Sequence, residues 1–167
     1  MLDLRKFRLR SGESLRDEVE VEIAPIELGG QRYIAVPEKV PAELTITRAS
    51  TGTVYELRFH VRLHGPCFRC LGDAVLDDDL ALREYQAESP NGVEELTTPY
   101  VIQNRLDLSS WARDGLVLAL PDKILCRPDC AGLCPVCGRD LNAEPHEHEH
   151  EQGDPRWAAL QQLRESL

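Results

Sequence analysis

From residue 19 to about residue 85 the chain alternates apolar and polar positions. VEVEIAPIEL, ELTITRA and TVYELRFHVRLHG each set β-branched and aromatic residues on one face, as a half-buried antiparallel strand requires. Gly29 with Gly30, Pro41 and Gly52 supply turns between them, so a β-meander is expected. DAVLDDDLALREYQ extends the alternation, with Asp77, Asp78 and Asp79 expected on a solvated bend.

The period then changes. QAESPNGVEELTTPYVIQN, residues 86 to 104, carries Pro90, Gly92 and Pro99 among polar residues and reads as a long loop. In DLSSWARDGLVLALP the apolar and small residues Leu108, Trp111, Ala112, Gly115, Leu116 and Ala119 share one helical face. Asp107 is placed to cap that helix and Pro121 to stop it. DPRWAALQQLRESL repeats the signal, with Asp154 as cap and Pro155 opening a second short helix. Before it, NAEPHEHEHEQG is acidic and proline-flanked, so His146, His148 and His150, although able to bind stray metal weakly, read as part of a solvated linker. His60 and His64 read as ordinary strand histidines.

The expected fold class is α+β: an antiparallel β-rich sheet with one or two packed helices and a cysteine-rich metal-binding loop. The expected divisions are a β-rich domain with a late helix at 1–121, a Cys-rich loop at 122–143, an acidic, histidine-bearing linker at 144–153 and a terminal helix at 154–167. At 167 residues the chain is long enough to bury a core without staples.

Charge narrows the partners. The net charge of −10 opposes broad attraction to phosphate backbones. The best basic stretch is LRKFRLRSGESLR, where Arg5, Lys6, Arg8, Arg10 and Arg16 outnumber Asp3 and Glu13; a solvated strand face is the simplest reading of it. MLDLRKFRLR is charged at once and no apolar stretch follows, so a signal peptide is not expected and a reducing cytoplasm is. In that compartment clustered cysteines favour metal over disulfide.

Four of the six cysteines fall between Cys126 and Cys137. In CPVCG, two residues between Cys134 and Cys137 let both sulfurs reach one zinc ion, while Pro135 stiffens the turn and Gly138 bares its backbone. Cys126 and Cys130 complete a compact set at small loop entropy. The rival is a ribbon joining Cys67 and Cys70 of PCFRCLG to Cys134 and Cys137. The local four are the first choice, and one tetrahedral ion cannot use all six.

Enzymatic readings find less support. CFRC resembles a thiol-redox pair, with Arg69 able to lower a thiol pKa, but the βαβ setting is missing. Cys130, Cys134 and Cys137 reproduce the CxxxCxxC spacing of radical enzymes, yet Cys126 supplies a fourth ligand and closes the position that catalysis needs. The same closure makes zinc structural. There is no Gly-rich phosphate loop, no GxSxG elbow and no Ser, His and Asp arrangement, so no enzyme is expected.

CFRCL at 67–71, RLDLSSWARDGLVLALP at 105–121, LCRPDCAGLCPVCGRDLN at 125–142 and DPRWAALQQL at 154–163 together resemble the YceD family of bacterial and plastid proteins. The resemblance implies a cytoplasmic, non-enzymatic factor for accumulation of large-subunit ribosomal RNA and for ribosome assembly. It implies zinc, with Cys67, Cys70, Cys126, Cys130, Cys134 and Cys137 as metal candidates, and it favours a site shared with Cys67 and Cys70. Asp140 stands where the family motif commonly has asparagine. The implied partners are the large-subunit precursor, a ribosomal or assembly protein, and rRNA met through Arg69, Arg5, Lys6 and Arg8; no membrane or small-molecule substrate is expected. A thiol-redox or iron–sulfur protein, and an interaction module outside translation, are the alternatives.

Overall fold

The computed structural model describes residues 1–89 and 96–148. The chain divides into two compact units, Met1–Cys130 and Ala131–Leu167. The division falls inside the Cys-rich segment.

The first unit holds β1 (Leu2–Asp3), β2 (Ser14–Glu22), β3 (Ile26–Leu28), β4 (Gln31–Ala35), β5 (Lys39–Arg48), β6 (Gly52–Pro66), β7 (Asp73–Ala87), β8 (Val101–Ile102), β9 (Arg105–Leu106) and α1 (Leu108–Ala119). All strand pairs are antiparallel. The longest ladder is a hairpin of β6 and β7, running from Gly52↔Ala87 to Pro66↔Asp73. Because β7 covers one whole edge of β6, the other edge is divided: β5 takes Thr53 to Phe59, and β4 takes Leu63 and His64. β2 flanks β5, and β3 turns back on β4 through Gly29 and Gly30, both with positive φ.

The alternation of β6 decides which face is buried. Tyr55, Leu57, Phe59, Val61 and Leu63 are buried, while Arg58, His60 and Arg62 between them are exposed. Each fully buried apolar side chain contributes about 1.5–3 kcal/mol, so this one strand anchors the sheet. Val21 and Ile23, Val40 to Ile46 on alternate positions, and Tyr33 join the same core. The opposite face carries ion pairs: Arg62 bonds Asp77 at 2.6 Å, and His60 lies 2.7 Å from Asp77 and 3.0 Å from Asp79.

Helix α1 buries Leu108, Trp111, Ala112 and Leu116. Asp107 caps it, accepting from the Ser110 N–H at 3.1 Å and from the Ser110 hydroxyl at 2.9 Å. The helix packs on both β2 and β7. Those strands are the two flanks of the run β2-β5-β6-β7, so the sheet coils and the helix closes the gap. Gly115 lies against Leu82, where no side chain fits between helix and strand.

The α+β expectation holds in outline, with mostly antiparallel sheet and, among the described residues, one α-helix besides the short 3-10 turn Leu4–Lys6. The expected helix at 154–167 lies outside the described residues. Other expectations need correction. Pro41 is not in a turn but inside β5, opposite Glu20 of β2. Its missing N–H is tolerated because the β5–β6 ladder begins only at Ala42. Asp77, Asp78 and Asp79 form no bend; they continue β7, where Arg62 pairs with Asp77 and the His60 ring lies between Asp77 and Asp79. The loop expected at 86–104 contains β8, which pairs with β9 through Gln103 and Asn104, with φ of 50° and 61°. Two successive positive φ values make a tight hairpin turn, and Gln-Asn is a weak signal for one. The N-terminal basic stretch forms only β1 and the 3-10 turn before β2 begins at Ser14.

One glycine tests this packing. A Cβ on Gly65 would meet the Tyr33 ring and lie 2.8 Å from the Arg32 carbonyl oxygen. Gly65→Ala is expected to cost about 1–3 kcal/mol, read as a lower denaturant midpoint with an unchanged slope.

Candidate metal centre

The buried parity of β6 runs past its last residue. Leu63 is buried, Gly65 sits on Tyr33, and Cys67 is fully buried, so the strand delivers the first thiol to the core side. Cys67 to Gly72 then form the turn of the β6–β7 hairpin. The Leu71 N–H donates to the Cys67 carbonyl at 3.0 Å, and the Cys67 N–H donates to the Gly72 carbonyl at 2.6 Å. The Arg69 N–H donates to the Cys67 sulfur at 3.4 Å. Leu71 pays for this geometry with φ of 60°, a region costly for any residue with a Cβ.

The segment after α1 returns to this turn. The Phe68 N–H donates to the Ile124 carbonyl at 2.9 Å, and the Arg69 guanidinium donates to the Cys130 carbonyl at 2.7 Å. Lys123 lies 5.1 Å from the Phe68 ring centroid. These ties bring Cys126 and Cys130 against the hairpin turn, with Cys67 Sγ 3.8 Å from Cys130 Sγ and Cys70 Sγ 3.7 Å from Cys126 Sγ.

All four sulfurs lie within 4.8 Å of one another. Four thiolates at about 2.3 Å from a tetrahedral zinc ion sit about 3.8 Å apart, and disulfide sulfurs sit at about 2.05 Å. None of these cysteines is in a disulfide, and their spacing and donor chemistry fit a zinc ion closed on all four sides. Cys67, Cys70, Cys126 and Cys130 would hold it; the ion would offset about half of their thiolate charge and cross-link the hairpin turn to the segment after the helix.

The protonation pattern shows why a cation suits this place. Burial pushes the Cys67 thiol up, but the N–H groups of Cys70, Cys126 and Arg69 aimed at its sulfur together hold it down at about 6. Cys126 goes the other way. Desolvation, then the neighbouring sulfurs of Cys130, Cys70 and Cys67, push it up to about 12. Without a cation one thiolate forms at the cost of its neighbours.

The structure therefore does not bring together the four sulfurs preferred from spacing. Cys126 and Cys130 join Cys67 and Cys70, and Cys134 and Cys137 join neither pair. In the second unit Cys134 to Arg139 repeat the first turn: the Gly138 N–H donates to the Cys134 carbonyl at 2.8 Å and the Cys134 N–H to the Arg139 carbonyl at 2.8 Å. Gly138, at φ of 72°, occupies the place that Leu71 fills in the first turn. The N–H of Cys137 above all, and that of Val136, hold the Cys134 thiol down at about 6, against desolvation. The side chains gathered with Cys134 and Cys137 are His146 and His148, which composition alone had assigned to a linker. His150 lies outside the described residues.

Of the basic residues expected at nucleic acid, Arg69 is tied to Cys130 as above. Arg5 is paired with Asp3 at 2.9 Å, a contact that draws the Asp3 carboxyl down to about 2. Lys6 and Arg8 are exposed.

A curled antiparallel sheet whose longest hairpin ends in a four-cysteine cluster is a β-scaffold with a metal-type knuckle. The family model described as "Large ribosomal RNA subunit accumulation protein YceD" matches residues 55–164, more than half of the chain, and the chain belongs to the YceD family. The match begins within β6 and takes in both CxxC turns and α1. An uncharacterized protein of Mycobacterium tuberculosis is 41% identical over 103 residues, 59% of this chain and 49% of the relative. One from Mycobacterium leprae is 39% identical over 99 residues, 56% of this chain and 45% of the relative. The chain thus spans about half the length of the curated relatives it matches. No solved structure matches it.

Leu71 offers a test of the turn that needs no metal assay. Leu71→Gly removes the strained φ and is expected to stabilise the protein by about 0.5–1 kcal/mol, whereas β-branched Leu71→Val is expected to destabilise it by a similar amount. Chemical denaturation of both variants checks the pair of signs.

Proposed function

We propose that this chain is a non-enzymatic factor that supports accumulation of large-subunit ribosomal RNA in the cytoplasm, shaped by a structural zinc ion on Cys67, Cys70, Cys126 and Cys130. The observation that carries the zinc assignment is the gathering of four sulfurs, none in a disulfide, at tetrahedral-edge spacing. The rRNA role rests on membership of a family described by that accumulation. A zinc ion with four protein ligands keeps no position for water or substrate, so its contribution is shape.

Charge favours a basic ribosomal or assembly protein as the direct partner. The chain carries a net charge of −10, and β2 exposes Glu18, Glu20 and Glu22. Glu18 also faces Glu43 across the strand pair, where Arg16 meets the Glu43 carboxylate at 3.4 Å. Any phosphate contact would rest on Lys6 and Arg8, because the guanidinium groups of Arg69 and Arg5 already serve internal partners.

Depletion of the protein in cells is expected to lower large-subunit rRNA relative to small-subunit rRNA, measured by quantitative hybridisation. Wild-type chain should restore the ratio, and a Cys70→Ser/Cys126→Ser chain should not. An unchanged ratio on depletion would refute the rRNA role. A coloured purified protein carrying iron would replace the zinc reading with the iron–sulfur one.

A further inference from the structure

The second unit poses a stability problem. Its described residues, 131–148, bury only Gly132 and Cys134. These eighteen described residues form no hydrophobic core among themselves, and a cross-link is the usual substitute in so short a segment. Its backbone is nevertheless ordered into a specific reversal. Leu133 bridges Asp140, the Leu141 N–H donates to the Gly132 carbonyl at 2.9 Å, and the Ala131 N–H donates to the Asn142 side-chain oxygen at 2.8 Å. The Asp140 carboxylate accepts from the Asn142 N–H at 2.9 Å. The Arg139 guanidinium meets the Glu144 carboxylate at 3.2 Å.

That reversal brings residues 146–148 back to the CPVCG turn. His146 Nε2 lies 3.1 Å from Cys137 Sγ. The His146 and His148 rings meet edge to face, with centroids 4.9 Å apart. One ligand atom from each of Cys134, Cys137, His146 and His148 falls within 4.8 Å of all the others. The Glu144 carbonyl is 2.7 Å from His146 Nδ1; donation from Nδ1 leaves the Nε2 lone pair facing the sulfurs, the arrangement that metal-binding histidines use.

We propose that Cys134, Cys137, His146 and His148 form a second, separate zinc site, and that this ion is the cross-link holding the second unit. Two independent features point to it. The turn at Cys134–Arg139 repeats, bond for bond, the turn at Cys67–Gly72, and a complete set of four zinc-type donors converges among described residues that bury almost nothing. The two sites differ in charge. Zinc with two thiolates and two neutral imidazoles is neutral, whereas zinc with four thiolates carries about −2. The neutral site should lose its ion first, because its ligands, apart from Cys134, are only partly covered or exposed.

The test is metal stoichiometry of the untagged full chain, by elemental analysis after zinc loading and removal of excess. Wild type is expected to hold about two zinc ions per chain, and His146→Ala/His148→Ala about one. Cys70→Ser/Cys126→Ser should also retain about one, and its cobalt(II) form should show tetrahedral bands with the charge transfer of two thiolates rather than four. The ion retained by the histidine variant reports that its first unit is still folded. A wild-type value of one, or two ions retained in the histidine variant, would overturn the proposal while leaving the first site and the rRNA role standing.

Discussion

The path of the chain after α1 depends on the meeting of four sulfurs at the end of the longest described hairpin of the first unit. β6 ends at Pro66 and β7 begins at Asp73, so the strands must be joined by a turn that exposes backbone N–H groups at the edge of the core. Cys67 solves this locally, because its sulfur accepts from those N–H groups. The solution creates a buried negative centre, and the same centre draws in the segment after α1. Phe68 and Arg69 bind that segment through its carbonyls at Ile124 and Cys130, so turn and segment support each other before any ion arrives.

Electrostatics then limits what the cluster can be. Thiols so close cannot all ionise unaided, and the opposed shifts of Cys67, near 6, and Cys126, near 12, express that frustration. A divalent cation removes it by making every thiolate favourable at once. An oxidative solution would need sulfurs to approach to about 2.05 Å, and the Cys67–Cys130 and Cys70–Cys126 separations of 3.8 and 3.7 Å instead suit a bridging ion. A zinc ion there would add no redox chemistry of its own, which suits a scaffold more than a catalyst.

How far the sequence could be read depended on the range of the interactions. Strand alternation from Tyr55 to Leu63 and the cap at Asp107 are local and were legible. Pro41 and the three aspartates misled because their residue types are turn-prone, while their neighbours across the sheet, which no local window contains, make them strand. The cysteines misled for a related reason. Loop entropy favours pairing thiols close in sequence, but Cys126 meets Cys70 across a sequence separation of 56, at a cost that forming the sheet and helix has already covered. His146 and His148 stayed hidden behind acidic composition. Their signal was the same CxxC turn appearing twice with six cysteines to serve it, which leaves the second pair two ligands short.

That shortfall has a functional corollary. In the first unit the sheet, the helix and the sulfur cluster reinforce one another, so removing an ion would loosen one end of an otherwise intact core. Among the described residues of the second unit no core stands behind the ligands, and order there should follow occupancy more closely. A factor that acts by presenting a shaped surface to a nascent ribosomal particle would then carry one element whose shape is set by its own fold and another whose shape depends on bound metal. The acidic face of β2, with Glu18, Glu20 and Glu22 outward, belongs to the first kind. Its charge supports long-range attraction of a basic partner, whereas contacts made by the second unit would report on metal supply.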